Sequence, residues 1–187
     1  MSEAEVRQRI DDYRGCFGAI DDLPKPVICA INGYAFGGGL ELALCADIRL
    51  VDAETKVGLT ETRLGIIPGA GGTQRLPRLI GASKAKELIF TGARVDGERA
   101  ERLGIANRAV PRDELLDAAI EMAEQMLLSA PIALQQAKIA IDAGMQCDLE
   151  TGLEIESRAY AVTIPTEDRQ EGLEAFREKR KPDFKGK

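Results

Sequence analysis

Two glutamates in apolar surroundings, twenty residues apart, are the side chains of this sequence best suited to acid–base chemistry. Glu41 lies in the apolar run Leu40–Ala46, directly after three consecutive glycines, and Glu61 follows within Val57–Gly69. A carboxyl group among apolar side chains is costly to ionise, and its pKa rises toward the range that suits proton transfer. The pair therefore indicates an enzyme that moves protons with carboxyl groups.

The glycine triplet Gly37–Gly39 supplies the second chemical feature. Glycines before a helix let the backbone approach a ligand closely and leave the first N–H groups unpaired. With the positive end of the helix dipole, such donors suit an anion or a developing oxyanion. Taken singly, each feature has an ordinary alternative: the triplet as a packing turn, Glu41 as a solvated helix residue, Glu61 paired with Arg63 or capping a turn, and Gly69 as a turn glycine after Pro68.

Composition excludes several other kinds of chemistry. The 187 residues contain no histidine, which removes Ser-His-Asp triads and the common zinc sites. The net charge of −6 gives no support to nucleic-acid binding. Four cysteines without a C-x-x-C pair, apolar runs too short for a bilayer and an acidic N-terminus predict a reduced, cytoplasmic protein without a targeting peptide.

The elements that must position the glutamates are predicted from periodicity and turn residues. Strands and helices alternate, as in layered α/β folds, and the chain divides into an α/β core, residues 1–110, and a helical section, residues 111–187. The predicted strands are residues 27–31, 47–51, 56–59 and 107–110. The predicted helices are residues 2–21, 40–46, 73–80, 83–91, 97–103, 116–127, 131–143, 149–163 and 166–179.

Three segments together resemble the enoyl-CoA hydratase/isomerase (crotonase) family. They are AINGYAFGGGLELA at 30–43, GIIPGAGGTQRL at 65–76 and IPTEDRQEG with AFREKR at 164–180. The resemblance covers essentially the whole chain and is nearest to the methylglutaconyl-CoA hydratase branch, some of whose members also bind AU-rich RNA. It implies a spiral of ββα turns followed by trimer-forming helices, often stacked as a hexamer.

The resemblance also assigns site residues. The Gly38 N–H matches one of two oxyanion-hole donors for the thioester carbonyl, and Glu41 and Glu61 match the two catalytic carboxylates. The Gly69 N–H matches a contact to the attacking water. Phe176 and Lys179 match positions that reach the CoA moiety bound by a neighbouring subunit. No metal or redox cofactor is implied, since CoA arrives as part of the substrate.

The sequence departs from the family pattern at its front. Family members carry further strands ahead of the position of Met1, including an F-x-A-G-A-D-like segment that supplies the second oxyanion donor. Three interpretations stay open: a start assigned too late, a separate chain that supplies the missing part, or a reduced and inactive relative. Loss of one oxyanion donor costs on the order of a hundredfold to a thousandfold in rate.

The expected function is hydration of a 2-enoyl-CoA, with methylglutaconyl-CoA as one candidate, and sequence does not decide which glutamate is the acid. Alternatives are isomerisation on the same scaffold, a non-catalytic assembly subunit and RNA binding. The N-terminal helix disfavours the last, because six acidic residues stand against three arginines. The acidic residues are Glu3, Glu5, Asp11, Asp12, Asp21 and Asp22.

Overall fold

Short strands alternate with helices through the first 110 residues of this computed structural model, which describes residues 2–187. The strands are β1 Ile28–Ile31, β2 Ala35–Phe36, β3 Ile48–Asp52, β4 Lys56–Gly58, β5 Val95–Asp96 and β6 Arg108–Val110. The α-helices are α1 Glu3–Asp21, α2 Gly38–Ala43, α3 Gly72–Ile80, α4 Ala82–Thr91, α5 Gly97–Leu103, α6 Leu115–Met126, α7 Pro131–Gly144, α8 Leu149–Thr163 and α9 Glu167–Glu178. A 3₁₀ helix spans Glu61–Leu64.

The strands form two small sheets. In the first, β3 is central and pairs in parallel with β1 and β6, with Val51 opposite both Ile31 and Ala109. In the second, β4 pairs in parallel with β2 and antiparallel with β5. The four predicted strands are confirmed to within one residue at each end. Strands β2 and β5 were not predicted, because two residues are too few to show an alternating pattern.

Helix α2 is shorter than predicted. It ends at Ala43 rather than Ala46, because the Cys45 and Ala46 N–H groups donate to carbonyls three residues back and tighten the last turn. Helix α9 likewise ends at Glu178, since Lys179 has a left-handed backbone with φ of 56°. Among residues 2–187, Lys179 is the only non-glycine residue with positive φ.

The apolar core collects side chains from both sheets and the helices that flank them. Its members that are almost fully removed from solvent include Leu40, Val51, Val57, Leu59, Leu76, Val95 and Ile105. The two apolar runs that carry the glutamates therefore belong to one core, and this core fixes the backbone on which both acids stand.

Helix α1, in contrast to the core, is largely exposed to solvent. A capping box begins the helix, since Ser2 Oγ accepts from Glu5 N–H and Glu5 Oε2 accepts from Ser2 N–H. None of its residues is buried, and its large apolar side chains are at best half-buried, at Ile10, Phe17 and Ile20. Polar contacts must therefore contribute much of what holds this helix in place.

Residue contacts divide the chain into two units. The first comprises the described chain up to Leu23 together with Val27–Ile120, and the second comprises Pro24–Pro26 together with Glu121–Lys187. The division falls within α6. After Val110, the described chain contains helices and no further strand. Within residues 2–187, none of the helices has the length and apolar character required to cross a bilayer.

The last residues of the second unit, Arg180–Lys187, form what we call the C-terminal strap, which lies along α9. Asp168, only 2% exposed, accepts N–H hydrogen bonds from Lys185 and Gly186 at 2.6 and 2.8 Å. Glu171 accepts from the Arg180 guanidinium through both carboxylate oxygens and from the Asp183 N–H. Two acids in the first turns of α9 therefore fasten the chain end to the helix.

Candidate active site

The turn between β2 and α2 brings the predicted acids together. Gly37 has φ of 55° and ψ of −124°, a conformation open to glycine and strained for other residues. Its N–H donates to Gly58 O and its carbonyl accepts from Glu41 N–H, both at 2.9 Å. The turn is thus tied to β4 on one side and to the helix that carries Glu41 on the other.

Glu61 lies against the same glycine. A Cβ atom built on Gly37 would stand 3.2 Å from Glu61 Oε1 and 3.4 Å from its carboxyl carbon. Gly37 is therefore required twice, for its backbone conformation and for the room that it leaves to the carboxyl group. Glu41 follows on the first turn of the helix that Gly37 caps, and its carboxylate is near enough to raise the pKa of the Glu61 carboxyl.

Glu41 is a buried carboxylate with an anchor made of main-chain groups. The residue is 3% exposed, and its Oε1 accepts hydrogen bonds from the N–H groups of Ala70 and Gly72, both at 2.8 Å. Within residues 2–187, its Oε2 has no hydrogen-bond partner. The anchor fixes the plane of the carboxyl group and leaves one oxygen to meet a ligand.

The glycine-rich loop at residues 69–72 is shaped around this carboxylate. A Cβ on Gly72 would stand 3.0 Å from Glu41 Oε1 and 2.9 Å from both Leu59 Cδ1 and Pro68 Cβ. Only a glycine lets the backbone come this close. Sequence reasoning missed the two donors of this loop, although the succession of small residues after Pro68 is typical of loops that turn N–H groups toward an anion.

Glu61 has the opposite environment. Its Oε2 is buried and has no hydrogen-bond partner within residues 2–187. Burial raises the pKa of the Glu61 carboxyl and the nearby Glu41 carboxylate raises it further, while backbone hydrogen bonding lowers it. An orphaned buried oxygen beside a second acid is a frequent mark of a functional site.

The 3₁₀ helix that carries Glu61 is fastened to the end of α4. Thr62 Oγ1 donates to Ile89 O at 2.7 Å, and Arg63 donates through Nε and Nη2 to Thr91 O at 3.1 and 2.7 Å. The pairing of Glu61 with Arg63, considered above, is therefore wrong, because the guanidinium is bound elsewhere. The side chain of Glu61 is left free for chemistry.

The two predicted main-chain donors occupy different settings. Gly38 is the first residue of α2, so its N–H precedes the hydrogen-bond ladder of the helix, and a Cβ placed there would meet nothing within 4 Å. Within residues 2–187, Gly69 N–H has no acceptor, while Gly69 O accepts from Arg14 Nε at 2.9 Å. The roles of both glycines remain predictions.

Phe176 and Lys179 lie at the C-terminal end of α9, in the second unit. Phe176 is 85% exposed, and Lys179, also exposed, is the C-cap residue directly after the helix. Arg75 pairs with Asp21 at 2.8 Å. Among residues 2–187 there is no group of three or more Cys, Asp or Glu side chains placed to hold a metal ion.

Comparison with known proteins gives a consistent family. The family model described as enoyl-CoA hydratase/isomerase matches residues 4–187. The chain is 50% identical over 186 residues to the Bacillus subtilis protein "Putative enoyl-CoA hydratase/isomerase YngF", covering all of this chain and 72% of the relative. It is also 50% identical over 190 residues to human methylglutaconyl-CoA hydratase, mitochondrial, covering all of this chain and 56% of the relative.

Solved structures agree with these sequence matches. A crystal structure of an enoyl-CoA hydratase from Bacillus anthracis superposes with a TM-score of 0.97 at 51% identity, over all of this chain and 72% of that one. The predicted crotonase-like fold is therefore confirmed. The chain spans less than two thirds of the length of several curated relatives, for example 64% of the mouse enoyl-CoA hydratase domain-containing protein 2.

Proposed function

Because this chain belongs to the enoyl-CoA hydratase/isomerase family, we propose that its paired acids add water across the double bond of a 2-enoyl-CoA, giving a 3-hydroxyacyl-CoA. The observation that carries the proposal is the contrast between the two acids. One is anchored by two main-chain donors, and the other has a raised pKa and an unpartnered buried oxygen.

This contrast supports an assignment that the sequence leaves open. A raised pKa keeps the proton on Glu61 to a higher pH than usual, so Glu61 suits the acid that protonates Cα. Glu41, oriented by Ala70 and Gly72, suits the base that accepts a proton from water as the hydroxyl adds to Cβ. The two transfers leave the sum of protons on the acids unchanged.

The unpaired N–H at the start of α2 suits the thioester carbonyl. In this proposal Gly38 N–H donates to the carbonyl oxygen as negative charge develops on it, which stabilises the enolate-like transition state. The Gly69 N–H, without an acceptor in residues 2–187, suits the attacking water. Exposed apolar side chains that follow Glu61, at Leu64, Ile66 and Ile67, suit an acyl group nearby.

We also propose that the second unit mediates assembly, as a homotrimer or hexamer. Helices α6–α8 expose many large apolar side chains, more than a lone soluble subunit usually shows. In the second unit the helices expose Ile141, Leu149 and Tyr160, and the turns between the helices expose Leu127, Leu128 and Met145. In such an assembly Phe176 and Lys179 contact the CoA moiety bound by a neighbouring subunit.

Glu41→Gln separates hydration from isomerisation. Adding water needs a base for water and an acid for Cα, whereas moving a proton along an allyl system can use one base. We therefore expect the variant to lose hydration of crotonyl-CoA by at least about a hundredfold. Isomerisation of a 3-enoyl-CoA that relies on Glu61 should survive the change.

Both reactions are followed by the absorbance of the conjugated enoyl thioester, with exposed Glu54→Gln as the matched control. A parallel assay with 3-methylglutaconyl-CoA tests the branched substrate. Hydration by Glu41→Gln at the wild-type rate would refute the proposed role of this acid. Absence of turnover by the wild-type chain with every enoyl-CoA, together with tight and salt-dependent RNA retention, would favour the RNA-binding alternative.

A further inference from the structure

One peptide group connects a surface arginine to the buried Glu41. The Gly69 carbonyl accepts a hydrogen bond from Arg14 Nε at 2.9 Å, and the Ala70 N–H donates to Glu41 Oε1 at 2.8 Å. These two groups belong to the same trans peptide unit, so they point in opposite directions across one rigid plane. Arg14 and Glu41 thus hold the same plane from its two ends.

Helix α1 brings Arg14 to this loop and is held there by neighbouring contacts. The Ile10 side chain lies 3.5 Å from the position of a Cβ on Gly69. At the helix end, Asp21 pairs with Arg75, whose guanidinium lies across Gly71. The hydrogen bond from Arg14 to Gly69 is therefore accompanied by an ion pair between the same helix and the segment 69–75.

We propose that Arg14 is a positioning residue for Glu41 that acts through the Gly69–Ala70 peptide group. A guanidinium on the carbonyl oxygen fixes the rotation of the peptide plane, so that the N–H is aimed at Glu41 Oε1. It also polarises the peptide, and a donor in a chain of hydrogen bonds is strengthened by its neighbour. The proposal takes Glu41 as the base of the function proposed above.

The expected effect is modest because Arg14 is partly in water. Its side chain is 60% exposed and lies 3.9 Å from Asp11, so solvent and this acid both screen its charge. The Gly72 donor is independent of Arg14 and remains in any Arg14 variant. We therefore expect Arg14→Ala to lower kcat about threefold to tenfold with little change in KM, the pattern of a loss felt in the transition state.

The experiment compares Arg14→Ala and Arg14→Lys with the wild-type chain by kinetics and by amide NMR. In Arg14→Ala, the Ala70 amide proton should move upfield and exchange faster with solvent, while the Gly72 amide stays in place. Arg14→Lys should recover most of kcat and of the Ala70 shift, since Nζ can also donate to Gly69 O. Arg7→Ala is the matched control, since it removes a charge from the same helix, where Arg7 pairs with Glu3.

Two results would overturn the proposal. One is an unchanged Ala70 amide in Arg14→Ala, and the other is an equal loss of kcat in Arg7→Ala. If the wild-type chain hydrates no enoyl-CoA, the proposed function fails, yet the Ala70 amide still reports whether Arg14 orients the peptide. The proposed hydratase function and the proposed role of Arg14 can therefore be refuted independently of each other.

Discussion

Glu41 and Glu61 carry the same chemical group and differ only in what surrounds it. Main-chain donors hold one oxygen of Glu41, whereas one oxygen of Glu61 is buried without a partner in the described residues. The difference arises from the loop and the turn that meet them rather than from the side chains themselves. A pair of carboxyl groups with different surroundings can divide the roles of acid and base.

Replacing Glu61 by Gln should lower activity without lowering stability. Burial raises the pKa of Glu61, so its charged form is disfavoured in the folded state. A group with a raised folded pKa stabilises the protein most below its unfolded pKa, and this stabilisation is lost as pH rises through the folded pKa. The neutral amide should therefore raise the free energy of unfolding relative to wild type at pH 8, and the difference should shrink toward pH 4.

Chemical denaturation of Glu61→Gln and wild type between pH 4 and pH 8 measures the difference in the free energy of unfolding. The rate of enoyl-CoA hydration by Glu61→Gln should be at least about a hundredfold below that of wild type. In the wild-type chain, kcat for hydration should decrease as pH rises through the raised pKa of Glu61. A variant that is less stable than wild type at pH 8 would contradict the expected cost of the buried charge.

Gly72→Ala should destabilise the protein and impair the site together. Its Cβ would lie 3.0 Å or less from Glu41 Oε1, Leu59 Cδ1 and Pro68 Cβ, so the loop must shift away from its carboxylate. We expect the free energy of unfolding to fall by about 1–3 kcal/mol, as measured by chemical denaturation, and kcat for enoyl-CoA hydration to fall as well. Gly33→Ala is the control, because no atom lies within 4 Å of a Cβ there, and it should stay within about 0.5 kcal/mol of wild type.

At the level of elements, the 3₁₀ helix Glu61–Leu64 determines where the acid points. It is only one turn long and cannot hold itself, so its position depends on hydrogen bonds from Thr62 and Arg63 to the end of α4. Helix α4 thus supports the acid, although it contributes no side chain to the chemistry.

Thr62→Val should loosen this support. The change keeps the shape of the side chain and removes the 2.7 Å bond to Ile89 O, at a cost of about 1 kcal/mol. We expect kcat for hydration to fall several-fold, because a misplaced acid is a poor proton donor. Thr163→Val, which removes a 2.7 Å bond to Tyr160 O in the second unit, should affect stability alone. Equal kinetic losses in both variants would argue against a special role for the 3₁₀ helix.

Most of the long elements were predictable from sequence because caps and periodicity mark them. Ser2 and Asp96 are N-cap residues of their helices, and Gly81 ends α3. The burial of Glu41 was predictable from its apolar neighbours. The donors that hold it were not, since Ala70 and Gly72 lie about thirty residues away and reach it only through the fold. The partners of Thr62 were hidden for the same reason.

At the level of the whole chain, hydrogen bonds to two acidic residues, Asp168 and Glu171, hold the C-terminal strap against α9. The hydrogen bond from Arg180 and, next in size, that from the Asp183 N–H together lower the pKa of Glu171 to about 2, although desolvation opposes them. A carboxyl group with a lowered folded pKa stabilises the structure above its unfolded pKa, and this stabilisation disappears as pH falls through the folded pKa. The strap therefore depends on an ionised Glu171.

Acid should release the C-terminal strap from α9, because protonation of Glu171 weakens its hydrogen bonds to Arg180 and Asp183. We expect amide exchange in the segment 180–187, at Asp183 above all, to rise as pH falls from the ordinary range of a glutamate toward about 2. The measured exchange rate of each amide is divided by its intrinsic rate at the same pH, since intrinsic exchange itself depends on pH. Arg180→Met should produce the same release at neutral pH, and a strap that stays protected in this variant would show that Asp168 suffices.

The main-chain anchor of Glu41 has a consequence for how this protein tolerates mutation. Because the donors are amide groups, the side chain at position 70 takes no part in the contact, and any small residue that fits there inherits the anchor unchanged. Proline is the exception, since it has no N–H to give. Small substitutions of Ala70 should therefore leave the hydrogen bond to Glu41 intact, whereas Ala70→Pro should remove it.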